Sequence, residues 1–128
     1  RTANQSIERV KDEPNLRPLY DVLWYEEEIC CLFATTNLGK SILAIQIANE
    51  IAKTQNVLYV DCEMSDRQFR KRYSVHDSSF KFENRLIRAK IDIVESSNNN
   101  SAEDELIENI HKAAVASDSK VIIIDNLS

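Results

Sequence analysis

Hydrophobic and polar positions divide this chain into segments of two periods. Residues 2 to 12 are mostly polar, with Ile7 and Val10 as the few apolar contacts of a short helix that Pro14 ends. Residues 13 to 24 read as a connector, with Leu19, Leu23 and Trp24 as docking residues. Ile29 to Phe33 is a continuous apolar run, Ile-Cys-Cys-Leu-Phe, as expected for a strand buried on both faces. A small polar loop, Ala34 to Leu38, follows. From Gly39 to about Lys53 the polar residues Gln46, Asn49, Glu50 and Lys53 keep the three-and-four spacing of one helix face. The other positions are mainly Ile, Leu and Ala, so most of this helix is expected to be buried.

Val57 to Val60 is a second apolar run, ending in Asp61-Cys62-Glu63. Ser65 suits the N-cap of a helix through about Tyr73. Residues 74 to 84 show no period. Leu86 to Val94 alternates as a third strand, and Ser96 to Asn100 is a loop. Ser101 can cap a helix to about Ala116. Its first turn holds Glu103, Asp104 and Glu105, and Leu106, Ile110 and Ala114 share one face. Val121 to Asp125 is the last strand. The alternation of strands and helices predicts an α/β domain with a mainly parallel sheet and right-handed crossovers. The division expected is an amino-terminal helix and connector over 1–24 and a core over 25–128.

Composition narrows the reading. The 128 residues are 43% hydrophobic and 29% charged, enough for a core in one domain. The net charge of −5 gives no support for a broad nucleic-acid-binding surface. The three cysteines, Cys30, Cys31 and Cys62, lie in or beside apolar runs and read as buried reduced thiols. None has zinc-site spacing. No segment has the ~20 apolar residues of a membrane span, and no secretory leader is visible, so a cytoplasmic location without a membrane partner is expected. The chain starts at Arg1 and stops just past an apolar strand, so further chain is expected after Ser128.

The chemistry concentrates at three places. Ala34-Thr35-Thr36-Asn37-Leu38-Gly39-Lys40-Ser41 follows the phosphate-loop pattern G-x-x-x-x-G-K-[ST], with Ala34 where the first glycine is expected. A strand enters this loop and a helix leaves it. Backbone N–H groups of Thr35 to Gly39 would surround phosphate oxygens at a helix start, where the dipole favours anions. Gly39 is the chain's one glycine and would let the backbone approach. Lys40 would reach the β- and γ-phosphates, and Ser41 would offer its hydroxyl to Mg²⁺. Asp125, ending Val-Ile-Ile-Ile-Asp, is an acid at the C-terminal tip of a parallel strand, suited to hold the metal. Glu63, just past the second strand, can orient a water against the γ-phosphate and accept its proton, with Asp61 as a rival.

The loop, then Glu63-Met64-Ser65, then Val-Ile-Ile-Ile-Asp resembles the RecA-like P-loop ATPases, particularly the branch of DnaB-type helicases, KaiC-like proteins and RepA-like plasmid helicases. Thr2-Ala3-Asn4-Gln5 with Phe33 to Ser41 is also similar to bacterial ATPases of that branch, often from mobile elements, in which an alanine at the first loop position is familiar. The resemblance implies a three-layer RecA-like core up to its metal-binding strand, with Glu63 as catalytic base. It also implies ATP and Mg²⁺ as ligands and a homo-oligomer acting on DNA, as a replication, recombination or helicase-type motor. The family's later strands, DNA-contacting loops and arginine finger have no counterpart in these residues, so the 128 residues alone are expected to be weak or inactive as an ATPase. Two other readings stay open: a P-loop kinase, and a nucleotide-sensing module with little hydrolysis.

Arg67, Arg70, Lys71 and Arg72 make a basic helix after Glu63, read first as a solvated face. His76 and His111 have no neighbour at metal-ligand spacing. Trp24 and Tyr25 read as packing residues.

Overall fold

The computed structural model describes residues 1–31, 39–76, 78–92 and 102–125. Residues 1–31 and 32–128 form two separate units. In the first, α1 (Ala3–Val10) opens with a capping box. Thr2 Oγ1 accepts from Gln5 N–H at 3.1 Å, and Gln5 Oε1 accepts from Thr2 N–H at 2.8 Å. The helix ends before Pro14 as the sequence predicts, but it buries no residue, and Ile7 and Val10 are exposed. The connector holds a small antiparallel pair, β1 (Pro18–Tyr20) and β2 (Trp24–Tyr25). Trp24 Nε1 donates to the Glu28 carbonyl at 3.0 Å, while Leu23 stays exposed instead of docking.

The predicted first strand, Ile29 to Phe33, is corrected over its described part. Ile29, Cys30 and Cys31 belong to no strand and are exposed, Ile29 by 96%. An apolar run signals burial only where its backbone groups also find a ladder, and among the described residues no strand pairs with 29–31. The expectation of buried thiols fails with it for Cys30 and Cys31. Cys62 is half-buried, and burial pushes its thiol pKa up. Leu32 and Phe33 lie outside the described residues.

The second unit follows its predicted order closely. It contains α2 (Lys40–Ile51), β3 (Val57–Asp61), α3 (Asp66–Arg72), the short pair β4 (Ser74–Val75) and β5 (Ser78–Ser79), β6 (Leu86–Lys90), α4 (Ala102–Ser117) and β7 (Val121–Asp125). The main sheet has the order β6-β3-β7, with both pairings parallel. β3 lies in the centre, and all five of its residues are buried. Its polar end survives there because Asp61 has partners, as does every buried side-chain nitrogen and oxygen among the described residues.

Alternation along β3 gives the sheet two unlike faces. Leu58 and Val60 pack with Ile110 of α4, joined by Ile87, Ala89, Leu106, Ala113 and Ala114. This is the predicted face of α4, and it is wholly apolar. Val57, Tyr59 and Asp61 point the other way, with register partners Arg88 beside Tyr59 and Asp125 beside Asp61. That second face carries the polar groups. α2 contacts β3 and β7 and buries Ile45, Ala48 and Ile51. It is less buried than its composition suggests, since Ile42 and Leu43 are 45% and 40% exposed. Of the predicted third strand, Leu86 to Lys90 is strand, and residues 93 and 94 lie outside the described residues.

Candidate functional site

α2 begins in an unusual way. Gly39, its N-cap residue, has φ +80° and ψ 19°, in the left-handed region. A Cβ built there would meet nothing within 4 Å, so the dihedral itself, rather than crowding, requires glycine. Gly39 has no side chain with which to cap the helix. The first intrahelical bond runs from Leu43 N–H to the Gly39 carbonyl at 2.9 Å. The amides of the first turn therefore have no partner within the helix, and they carry the positive end of the dipole. Lys40 and Ser41 occupy this turn and are half-buried. Ala34, Thr35, Thr36, Asn37 and Leu38 lie outside the described residues.

Two acids end the central strands side by side. Asp61 of β3 and Asp125 of β7 are register partners at the C-terminal edge of the sheet, and both are buried. Tyr59 donates its hydroxyl to Asp125 Oδ2. Burial, then the hydrogen bond and charge of Asp125, raises the Tyr59 pKa far above its ordinary value, so the hydroxyl remains a donor.

Asp61 is engaged through both oxygens. Oδ1 accepts from the N–H groups of Glu63 and Met64, each at 2.9 Å. Oδ2 accepts from Arg88 Nε at 3.3 Å and Nη2 at 3.0 Å. Burial works against ionisation of Asp61, but the Met64 and Glu63 amides and the Arg88 guanidinium outweigh it and hold the carboxyl below its ordinary range.

The consequence is a stability prediction. Asp61→Asn would turn an amide donor toward Arg88, a cation whose side chain is only 13% exposed. A loss of about 3 kcal/mol is expected, the scale for removing one partner of a buried pair. Because the folded-state pKa is depressed, the Asp61 contribution is complete above about pH 4, the unfolded carboxylate range. It is lost as pH falls through the lower folded value. Urea unfolding should therefore show a wide gap between wild type and variant at neutral pH that narrows on acidification. A gap independent of pH would contradict the linkage.

Glu63 stands just beyond Asp61, in the turn between β3 and α3, with its side chain exposed. Together with Met64, Gln68, Lys71 and Arg72 it lines an open depression. Ser65 caps α3 as expected, in a capping box with Gln68. Arg67, Arg70, Lys71 and Arg72 are exposed. Phe69, Tyr73, Phe80 and Phe82 pack with ring centroids 4.8 to 5.6 Å apart, Phe80 remaining exposed. Among the described residues no group of three or more His, Cys, Asp or Glu side chains could hold a metal ion, and His76 and His111 join none.

The structure thus brings Asp125 and the turn carrying Glu63 to one sheet edge. Sequence reasoning missed Tyr59 and Arg88, the residues that hold the two acids. Each left a trace: Tyr59 is the polar-tipped residue in the Val-Leu-Tyr-Val run, and Arg88 breaks the Leu-Ile-Arg-Ala strand with a charge.

A protein-family model described as an AAA domain matches residues 3–128. No curated protein and no solved structure matches the chain.

Proposed function

The chain belongs to the AAA domain family, of the nucleotide-binding, P-loop ATPase type, and from that premise we propose that it binds ATP–Mg²⁺ at the start of α2 and hydrolyses it at the C-terminal edge of the sheet. The observation that carries this reading is the start of α2: left-handed Gly39, itself without a capping side chain, with Lys40 and Ser41 in the first turn.

In this reading the amides of Thr35 to Gly39 and the Lys40 ammonium hold the phosphates. Ser41 and Asp125 would hold the metal, with Asp125 kept in orientation by Tyr59 through one oxygen. Bound there, Mg²⁺ would supply charge neutralisation to the phosphates. Glu63 takes a proton from water as the water oxygen bonds to the γ-phosphorus, and the bond to the bridging oxygen breaks, with ADP keeping the electron pair. Asp61 is a poorer base, because it is fully buried whereas Glu63 is exposed. The order of loop, Glu63-Met64-Ser65 and metal acid favours the RecA-like branch of DnaB-, KaiC- and RepA-like proteins. By that analogy the intact protein is a cytoplasmic homo-oligomer acting on DNA. No helix among the described residues is long and apolar enough to cross a membrane.

The test is titration of the intact protein with a non-hydrolysable ATP analogue, in Mg²⁺ and in EDTA. Saturable binding is expected, weakened about tenfold or more by removing the metal, and Asp125→Ala should erase most of that dependence. Absence of saturable binding would overturn the reading, and affinity indifferent to Mg²⁺ would remove the metal roles of Ser41 and Asp125.

A further inference from the structure

The geometry points to Arg88 and Asp61 as positioning residues for the Glu63 carboxylate; this inference rests on the proposed role of Glu63 as base. Arg88 belongs to β6, the edge strand, and its register partner is Tyr59, two residues short of Asp61. From there its guanidinium reaches three elements. Nε and Nη2 donate to Asp61 at the tip of β3. Nη2 also donates to the Met64 carbonyl at 2.6 Å, in the turn after that tip. Nη1 meets Asp66 Oδ1 at 2.5 Å, in the first turn of α3. Its Cζ lies over the Phe69 ring, 4.5 Å from the ring centre, further along α3.

Asp61 closes the arrangement from below. Its Oδ1 takes the N–H groups of Glu63 and Met64, so the backbone from which the Glu63 side chain springs is held by a carboxylate that Arg88 itself holds. The turn from 62 to 65 is thus tied at Glu63 N, Met64 N and Met64 O, all through one ion pair. Neither member of the pair has to touch nucleotide to do this. A general base works only when its oxygen lies within about 2.6–3.2 Å of the proton-bearing atom. A displacement of about 1 Å at such a group is worth up to about a hundredfold in rate. The clamp fixes the base of a side chain whose tip must meet that tolerance.

Only a guanidinium serves all these acceptors at once. Its planar fork presents donors in several fixed directions and still leaves a flat face for Phe69, whereas a lysine ammonium keeps the charge but not the fork. Arg88→Lys therefore separates charge from geometry.

The experiment is a double-mutant cycle in the intact protein, comparing wild type, Arg88→Lys, Glu63→Gln and the combination, with kcat and ATP–Mg²⁺ affinity measured for each. Arg88→Lys alone is expected to lower kcat roughly tenfold to a hundredfold with affinity unchanged. In the Glu63→Gln background, where no base remains to be positioned, it should lower kcat no further. Equal losses in both backgrounds, a loss of affinity in place of kcat, or no loss at all would overturn the positioning role. If Glu63→Gln by itself left turnover intact, the base assignment would have failed first, and this inference with it. Should Arg88→Lys not fold, Asp66→Asn removes only the exposed arm of the clamp. It should give a smaller drop in kcat that also vanishes in the Glu63→Gln background, and a drop that persists there would contradict the proposal.

Discussion

Glu63→Gln in the intact protein is expected to slow ATP hydrolysis ~10²-fold or more, the usual scale for a general base, while ATP–Mg²⁺ affinity stays essentially as in wild type. Glutamine keeps the size and the hydrogen-bonding reach of glutamate but cannot take a proton from water. The backbone N–H of residue 63 would still bond Asp61, so the turn would keep its shape. The side chain is exposed, so the exchange leaves no buried cavity. Stability should therefore change far less than in Asp61→Asn, which removes the buried one of the two carboxylates paired with Arg88. The two acids lie two residues apart, and their variants are expected to differ in kind: Glu63→Gln should affect turnover alone, whereas Asp61→Asn should cost stability as well. Steady-state kcat, together with equilibrium binding and urea unfolding, checks both. Wild-type turnover in the glutamine variant would move the base away from Glu63.

Much of the second unit was legible in the residue pattern, for physical reasons that differ by element. β3 reads correctly because a strand buried on both faces needs an unbroken apolar run. α4 reads correctly because Leu106, Ile110 and Ala114 keep helical spacing and acids crowd its first turn. The cap of α3 was visible in Ser65. The same rule that found β3 misjudged Ile29 to Cys31, since hydrophobicity reports a tendency to be buried and not the partner that does the burying. The β1–β2 and β4–β5 pairs escaped because two- and three-residue strands have no period to detect.

The candidate site divides in the same way. Gly39, Lys40, Ser41, Glu63 and Asp125 stand out because fixed residue types at fixed spacing are local signals. Tyr59 and Arg88 act across the sheet, Tyr59 on a residue 66 positions away and Arg88 on one 27 positions away. Such contacts exist only once β3 has taken its place between β6 and β7. The register that pairs Asp61 with Asp125 is equally invisible in a single sequence.

We propose the start of α2 as a nucleotide-phosphate site. Lys40 is the one cation in its first turn, beside amides that the helix leaves unpaired. A lysine–phosphate contact is a charge-assisted bond, worth about 1.5–3 kcal/mol, and about 1.4 kcal/mol is a tenfold change in affinity. Alanine is the best helix former, so Lys40→Ala removes the charge without weakening α2. The decisive measurement is calorimetric titration of wild type and Lys40→Ala with ATP–Mg²⁺, alongside circular dichroism to show equal helix content. Affinity reduced on the order of 10²-fold in a folded variant is expected if Lys40 holds the phosphates; equal affinity in the two proteins would contradict that role.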